Sequence, residues 1–177
     1  KVVEHIVINC HTCIVGSKFS AIFATSAIEE AFQYYHLFKD MMGKNGLPLL
    51  KITGIFDETV GNNSLSFPKE MELSEILEDY KQNFGKFFTI PTYQKFKKDV
   101  ALRLAHKDKY LGIENKPEEM LNLIIVVDQM LTGYDSKWIN TLYLDKKMKY
   151  ESIVQAFSRT NRIFGEYKNH GIIKYYR

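Results

Sequence analysis

The sequence predicts an α/β domain with a mainly parallel sheet covered by helices, and three observations carry that expectation. Phe19–Thr25 and Leu121–Val127 are short apolar runs of strand length, the second so continuously apolar that it fits a strand buried on both faces. Segments with helical spacing of apolar residues lie between such runs. Strand, helix and strand then follow one another in the order that a parallel sheet needs for its crossovers. At 177 residues the chain favours one compact domain over two small ones.

Val3, Ile6, Val7, Cys10, Cys13 and Ile14 keep helical spacing, so the first element is an amphipathic helix with both cysteines on its apolar face. The Cys10-x-x-Cys13 pair has His5 and His11 nearby but no second Cys or His pair at zinc-site spacing, so the thiols read as core and no metal is expected. Gly16 and Ser17 end the pattern, and Phe19–Thr25 becomes a central strand. Ser26 is the expected cap of a helix running to about Leu37–Met42, which stops at Gly43 and Gly46-Leu47-Pro48. Leu50–Phe56 is the next strand.

From Asp57 to about Asn115 the alternation breaks, and residues 58–115 read as a helical insertion. One helix spans about Lys69 to Asn83 with Met71, Ile76, Leu77 and Tyr80 as its apolar positions; a second starts near Pro91 and runs towards His106. The pair is expected to pack as a flap, with Phe84, Phe87, Phe88 and Tyr93 as its own core rather than, on the other reading, an interface. Glu78-Asp79-Tyr80-Lys81 resembles a nuclease element in composition but falls on the first of these helices. Leu121–Val127 restores the alternation, followed by a strand at Thr141–Leu144, a helix from Glu151 to about Ile163 and a last strand at Gly171–Tyr176.

Net charge is only +3, so the chain lacks the strongly basic signature of a nucleic-acid binder, and any such contact has to be local. No apolar run reaches membrane-spanning length and no charged leader precedes a cleavage site, which points to a cytoplasmic protein without membrane contact. A start at Lys1 and an end just after an apolar run suggest a single domain, residues 1–177, cut from a longer polypeptide.

Chemistry concentrates in two stretches. In Gln155-Ala156-Phe157-Ser158-Arg159-Thr160-Asn161-Arg162, Gln155, Arg159 and Arg162 stand at i, i+4 and i+7 and share one helical face about 10 Å long. Arginine presents a planar fork matched to phosphate oxygens, and one aimed at a γ-phosphate stabilises the charge that spreads during phosphoryl transfer. The second stretch, Asp128–Lys137, leaves the carboxyl end of the most buried strand, where ligands bind in open α/β sheets. In it Gly133 lets the backbone turn or approach a partner closely, and Asp135 offers an acceptor to a ribose hydroxyl or an arginine.

Leu131-Thr132-Gly133-Tyr134-Asp135-Ser136-Lys137 resembles motif V of superfamily 2 helicases, Gln155–Arg162 resembles motif VI, and Phe23-Ala24-Thr25-Ser26 with the helix through Tyr34-Tyr35 resembles the motif IV region. The wording of Asp128–Trp138, Tyr143-Leu144-Asp145-Lys146 and Ile153–Arg162, with the helical insertion before them, is similar to the motor (R) subunit of type I restriction enzymes. That resemblance implies the second, RecA-like three-layer lobe of an ATP-dependent DNA translocase. It makes Arg162 the arginine finger beside Arg159, gives Gln155, Gly133 and Asp135 to the nucleotide, and gives Thr25, Ser26 and Thr132 to the DNA, with free backbone donors at Thr25-Ser26 gripping a phosphate.

ATP and Mg²⁺ would be held mainly by a first lobe, because no G-x-x-x-x-G-K-[ST] loop stands in these residues, and the fragment alone should not hydrolyse ATP. The implied partners are double-stranded DNA, the first lobe and nuclease domain of the same chain, and the methyltransferase and specificity subunits. Val127 stands where many relatives carry Thr, and Gln155 replaces the His of many RNA-dependent relatives, which favours DNA. Two other readings stay open: the same lobe of another superfamily 2 translocase, or a non-catalytic α/β binding module.

Overall fold

A computed structural model describes residues 1–13, 18–42, 44, 47–56, 67–127, 136–147, 154, 158, 160, 164 and 168–177. The chain runs α1 (Val2–Cys13), β1 (Ser20–Thr25), α2 (Ile28–Met41), β2 (Ile52–Ile55), α3 (Phe67–Phe84), α4 (Tyr93–Ala105), β3 (Leu123–Val127), β4 (Ile139–Asp145) and β5 (Ile172–Tyr175). The strands form one five-stranded sheet in the order β2-β3-β1-β4-β5, and every neighbouring pair is parallel.

Each residue of β1, β2, β3 and β4 is buried, on both alternating faces, so the sheet is covered on both sides. Only β5 is partly open, as an edge strand. This is the RecA-like three-layer α/β architecture that the resemblance implied. Of the helix expected over Glu151 to Ile163, Val154, Ser158 and Thr160 are described and are helical; its other residues lie outside the described ones.

Two expectations change. Ser26 does not cap α2: the N-cap is Ala27, extended at φ −144° and ψ 156° with no side-chain cap, and the Ser26 N–H instead donates to the Glu30 carboxylate at 3.2 Å. A first-turn glutamate reaching back does the capping work that the serine hydroxyl was expected to do.

The insertion is also not a flap with a separate core. Leu73, Ile76, Leu77, Tyr80, Tyr93, Phe96, Val100 and Leu104 join the same hydrophobic core as the strands. The Tyr93 hydroxyl fastens α4 to the end of β2, accepting from Phe56 N–H at 2.9 Å and donating to Phe56 O at 3.1 Å. Phe84 and Phe88 are partly buried against that core, whereas Phe87 is 68% exposed.

The insertion carries its own buried ionic network. Asp99 accepts from the Tyr80 hydroxyl at 2.8 Å, from the Tyr110 hydroxyl at 2.7 Å and from Lys109. Arg103, 3% exposed, donates to both of those hydroxyls, at 3.0 and 3.1 Å, and to Glu119 O, with its guanidinium 3.9 Å from the Phe84 ring centre. Two tyrosine hydroxyls thus bridge a buried acid and a buried base, each donating one way and accepting the other, which satisfies charges that would be costly unpaired. Burial opposes the charged Asp99 carboxylate, but hydrogen bonds from Lys109, Tyr110 and Tyr80 outweigh it and hold the carboxyl below its usual range.

Candidate functional site at the carboxyl edge of the sheet

Strand order locates the natural ligand edge. From β1 the chain crosses to β2 on one side of the sheet, and from β4 it crosses to β5 on the other. The carboxyl ends of the adjacent strands β1 and β4 therefore form a topological switch point, where open α/β sheets bind ligands. Thr25 of β1 lies level with Asp145 of β4 and with Val127 of β3, so three strand ends meet there.

A chain of polar contacts crosses this edge. The Ser26 N–H donates to Glu30 Oε2 at 3.2 Å, and Glu30 Oε1 pairs with the Arg177 guanidinium at 3.0 Å. Arg177 also grips Asp145, through Nε at 2.8 Å and through its terminal nitrogen at 3.2 Å. Asp145, 3% exposed, accepts from the Tyr34 hydroxyl as well. Burial, together with the Asp145 carboxylate, pushes the Tyr34 hydroxyl up to about 12, so it stays a donor at neutral pH.

Thr25 is fully buried, its hydroxyl donating to Ala27 O at 3.3 Å. Ser26 is exposed, but its amide is already taken by Glu30, so the expected free donor at this position is occupied. Thr132, Gly133 and Asp135, with the rest of 128–135, and Gln155, Arg159 and Arg162 lie outside the described residues. Around them, Val127 ends β3, Ser136 is buried, and Thr160 is 1% exposed.

Glu30, Tyr34 and Arg177 were not singled out as site residues from sequence, nor was Asp145. A usable signal existed for Asp145: an acid closing an otherwise apolar strand, at the edge where such sheets bind ligands. The Glu30–Arg177 pairing spans nearly the whole chain and had no local signature.

A second concavity, about 380 Å³, opens beside Glu118 and Glu119 just before β3, at the amino edge. Its lining mixes the cations Lys86, Arg103 and Lys109 with Glu118 and Glu119, and Lys109 is paired with Asp99. Among the described residues, no group of three His, Cys, Asp or Glu is placed to hold a metal. Cys10 is buried in the core. No described helix is long and apolar enough to cross a membrane.

A parallel, doubly covered sheet with a switch point at β1 and β4 defines a RecA-like α/β domain. The profile of "Type I restriction enzyme subunit R domain 3" matches residues 17–177, and the chain belongs to that family. It is 32% identical over 180 residues to the type I restriction enzyme SauCOLORF180P endonuclease subunit of Staphylococcus aureus (strain COL), covering 99% of this chain and 18% of that protein. A Staphylococcus saprophyticus relative, the SsaAORF53P endonuclease subunit, is 33% identical over 181 residues with the same coverage. The HindI endonuclease subunit of Haemophilus influenzae is 48% identical over a shorter stretch of 48 residues. The chain thus spans 18% of the length of the staphylococcal subunits it matches end to end.

Proposed function

We propose that this chain is the second motor lobe of an ATP-dependent DNA translocase within a type I site-specific deoxyribonuclease. The observation that supports it best is the switch-point edge: Thr25, Val127 and Asp145 end level with one another, and the Asp128–Asp135 stretch follows directly on Val127 in the sequence. Membership of the restriction-subunit family supports the same reading.

In this function the lobe is a 1–177 domain that carries its 58–115 insertion between β2 and β3. Arg162 reaches across a cleft to the γ-phosphate of ATP seated on the first lobe, and Arg159 and Gln155 hold phosphate oxygens and couple the nucleotide to DNA. Asp135 orients the nucleotide or these arginines, and Gly133 lets the loop backbone come close. Ser26 and Thr132 hold the phosphate backbone of double-stranded DNA, and Thr25 anchors the turn that presents Ser26. Mg²⁺ and most ATP contacts belong to the first lobe. The nuclease domain, the methyltransferase and the specificity subunit complete the assembly, and the specificity subunit reads the sequence that a backbone-gripping lobe does not.

The test is DNA-stimulated ATPase of the full subunit carrying Arg162→Ala. Loss of an arginine finger lowers turnover by about 10³-fold or more. Near-normal turnover in a folded variant overturns the assignment, since a solvated salt-bridge arginine contributes no more than about 1 kcal/mol.

A further inference from the structure

The insertion meets the rest of the domain at one tryptophan. Trp138, buried just before β4, lies flat against His106, the residue that ends α4, with ring centres 4.2 Å apart and planes 13° apart. Phe164 stands edge-on to the same indole at 4.8 Å, and Phe19, at the entry to β1, closes it at 5.9 Å. The buried Ser136 hydroxyl donates to Leu104 O in the last turn of α4 at 2.8 Å and accepts from Trp138 N–H at 3.1 Å. Lys137 lays its ammonium 4.1 Å from the Phe164 ring centre.

These contacts join four parts of the sequence that lie far apart. Ser136, Lys137 and Trp138 directly follow the Leu131–Asp135 loop, and Phe164 comes two residues after Arg162. Both functional stretches therefore have their exits fastened to one indole, and the third group on that indole belongs to the insertion. His106 is also one of two non-glycine residues with positive φ among those described, at 50°. A left-handed histidine is sparsely populated and persists when its surroundings over-determine it. Here the indole holds one ring face and Glu114 holds Nδ1 at 3.1 Å.

We infer that His106 and Trp138 are positioning residues for ATP turnover, through which the insertion braces Ser136–Trp138 and Phe164, the described neighbours in sequence of the Leu131–Asp135 and Arg159–Arg162 stretches. The inference rests on the motor function proposed above. The insertion acts as a brace against the exits of both stretches and touches no substrate. An error near 1 Å in such placement costs on the order of tenfold to a hundredfold in rate without weakening substrate binding in proportion.

The experiment compares three variants of the full subunit in DNA-stimulated ATPase, with kcat, KM for ATP and DNA affinity measured together. His106→Asn keeps a residue that tolerates left-handed backbone and removes the stacking ring. Its kcat is expected to fall by about tenfold or more while KM and DNA affinity stay within about threefold. Tyr110→Phe breaks the Asp99–Arg103 network elsewhere in the insertion and is expected to lower stability while leaving kcat in place. Unchanged kcat in His106→Asn, or an equal fall in Tyr110→Phe, overturns the brace. Should His106→Asn not fold, Glu114→Ala removes the group that holds the imidazole Nδ1, and an unchanged kcat there overturns the brace equally. Arg162→Ala runs alongside: if it keeps its turnover the motor function fails, and if it abolishes turnover while His106→Asn leaves kcat unchanged, the brace alone fails.

Discussion

Gly171 meets the backbone of Thr160 so closely that a Cβ on the glycine would lie 2.3 Å from the Thr160 carbonyl oxygen and 2.7 Å from its Cβ. Gly171 immediately precedes the edge strand β5, and Thr160 stands between Arg159 and Arg162. Backbone cannot yield to a methyl group as a flexible side chain can, so Gly171→Ala has to push β5 and the Thr160 segment apart. The expected cost is about 1–3 kcal/mol, read as earlier thermal unfolding of the full subunit. A variant melting with the wild type would mean that the contact relaxes freely.

Asp99→Leu should be the more damaging substitution. It leaves the Arg103 guanidinium buried and strips Tyr80, Tyr110 and Lys109 of their acceptor. Breaking a buried ionic network from one side costs about 3–5 kcal/mol, measurable as lost resistance to proteolysis between α3 and β3. A loss below about 1 kcal/mol would place the network with ordinary surface pairs.

His106 makes part of the stability pH-dependent. Burial pushes its imidazole below the ordinary value and outweighs the opposing pull of Glu114. The unfolded chain then takes up a proton, near its ordinary pKa of ~6.5, that the folded chain resists. Stability from this residue is therefore complete above that value and declines as pH falls below it. Melting temperature should drop more between pH 8 and pH 5 for the wild type than for His106→Gln, which carries no titrating ring; parallel curves would refute this. Asp99 acts in a lower window: its carboxyl is depressed, so its contribution holds above the ordinary carboxylate range of ~4 and disappears as pH falls through the folded value.

Glu30 competes with any phosphate at the carboxyl edge, because its carboxylate already occupies the Ser26 amide and neutralises part of Arg177. Removing it as Glu30→Ala exposes the donor and leaves the guanidinium paired with Asp145 alone. On the proposed function, DNA affinity at fixed salt should rise about fivefold, the equivalent of roughly 1 kcal/mol. Unchanged affinity would show that phosphate does not approach Ser26.

Apolar runs made the sheet legible in the sequence. Leu121–Val127 had to be central because it has no polar alternation, and it became β3, flanked on both sides. Helix positions in α1 and α3 followed from spacing, and that of α4 from Pro91 as a first-turn residue. What escaped depends on distance in sequence rather than local pattern. Nothing near Tyr93 announced that its hydroxyl would close on Phe56, which is why two helices that read as a flap turned out to share the main core. The Trp138 stack draws on residues 19, 106 and 164, which no periodicity connects. Ser26 looked like a cap because serine is a common one, and the decision fell to Glu30 four residues on. At the candidate site Thr25 and Ser26 could be followed into the structure, whereas the arginines and the Asp128–Asp135 stretch lie outside the described residues.

The strand order has a consequence for biosynthesis. β1 and β2 share no hydrogen bonds with each other; they are joined only through β3, which fills the gap between them. While the polypeptide emerges from the ribosome, its first strand stays without a partner until Leu123–Val127 follows, some hundred residues later. Long-range parallel pairing of this kind is slow and leaves apolar edges open in the meantime. Until β3 follows, the amino-terminal half of this domain has an unpaired apolar strand, the condition under which folding intermediates aggregate.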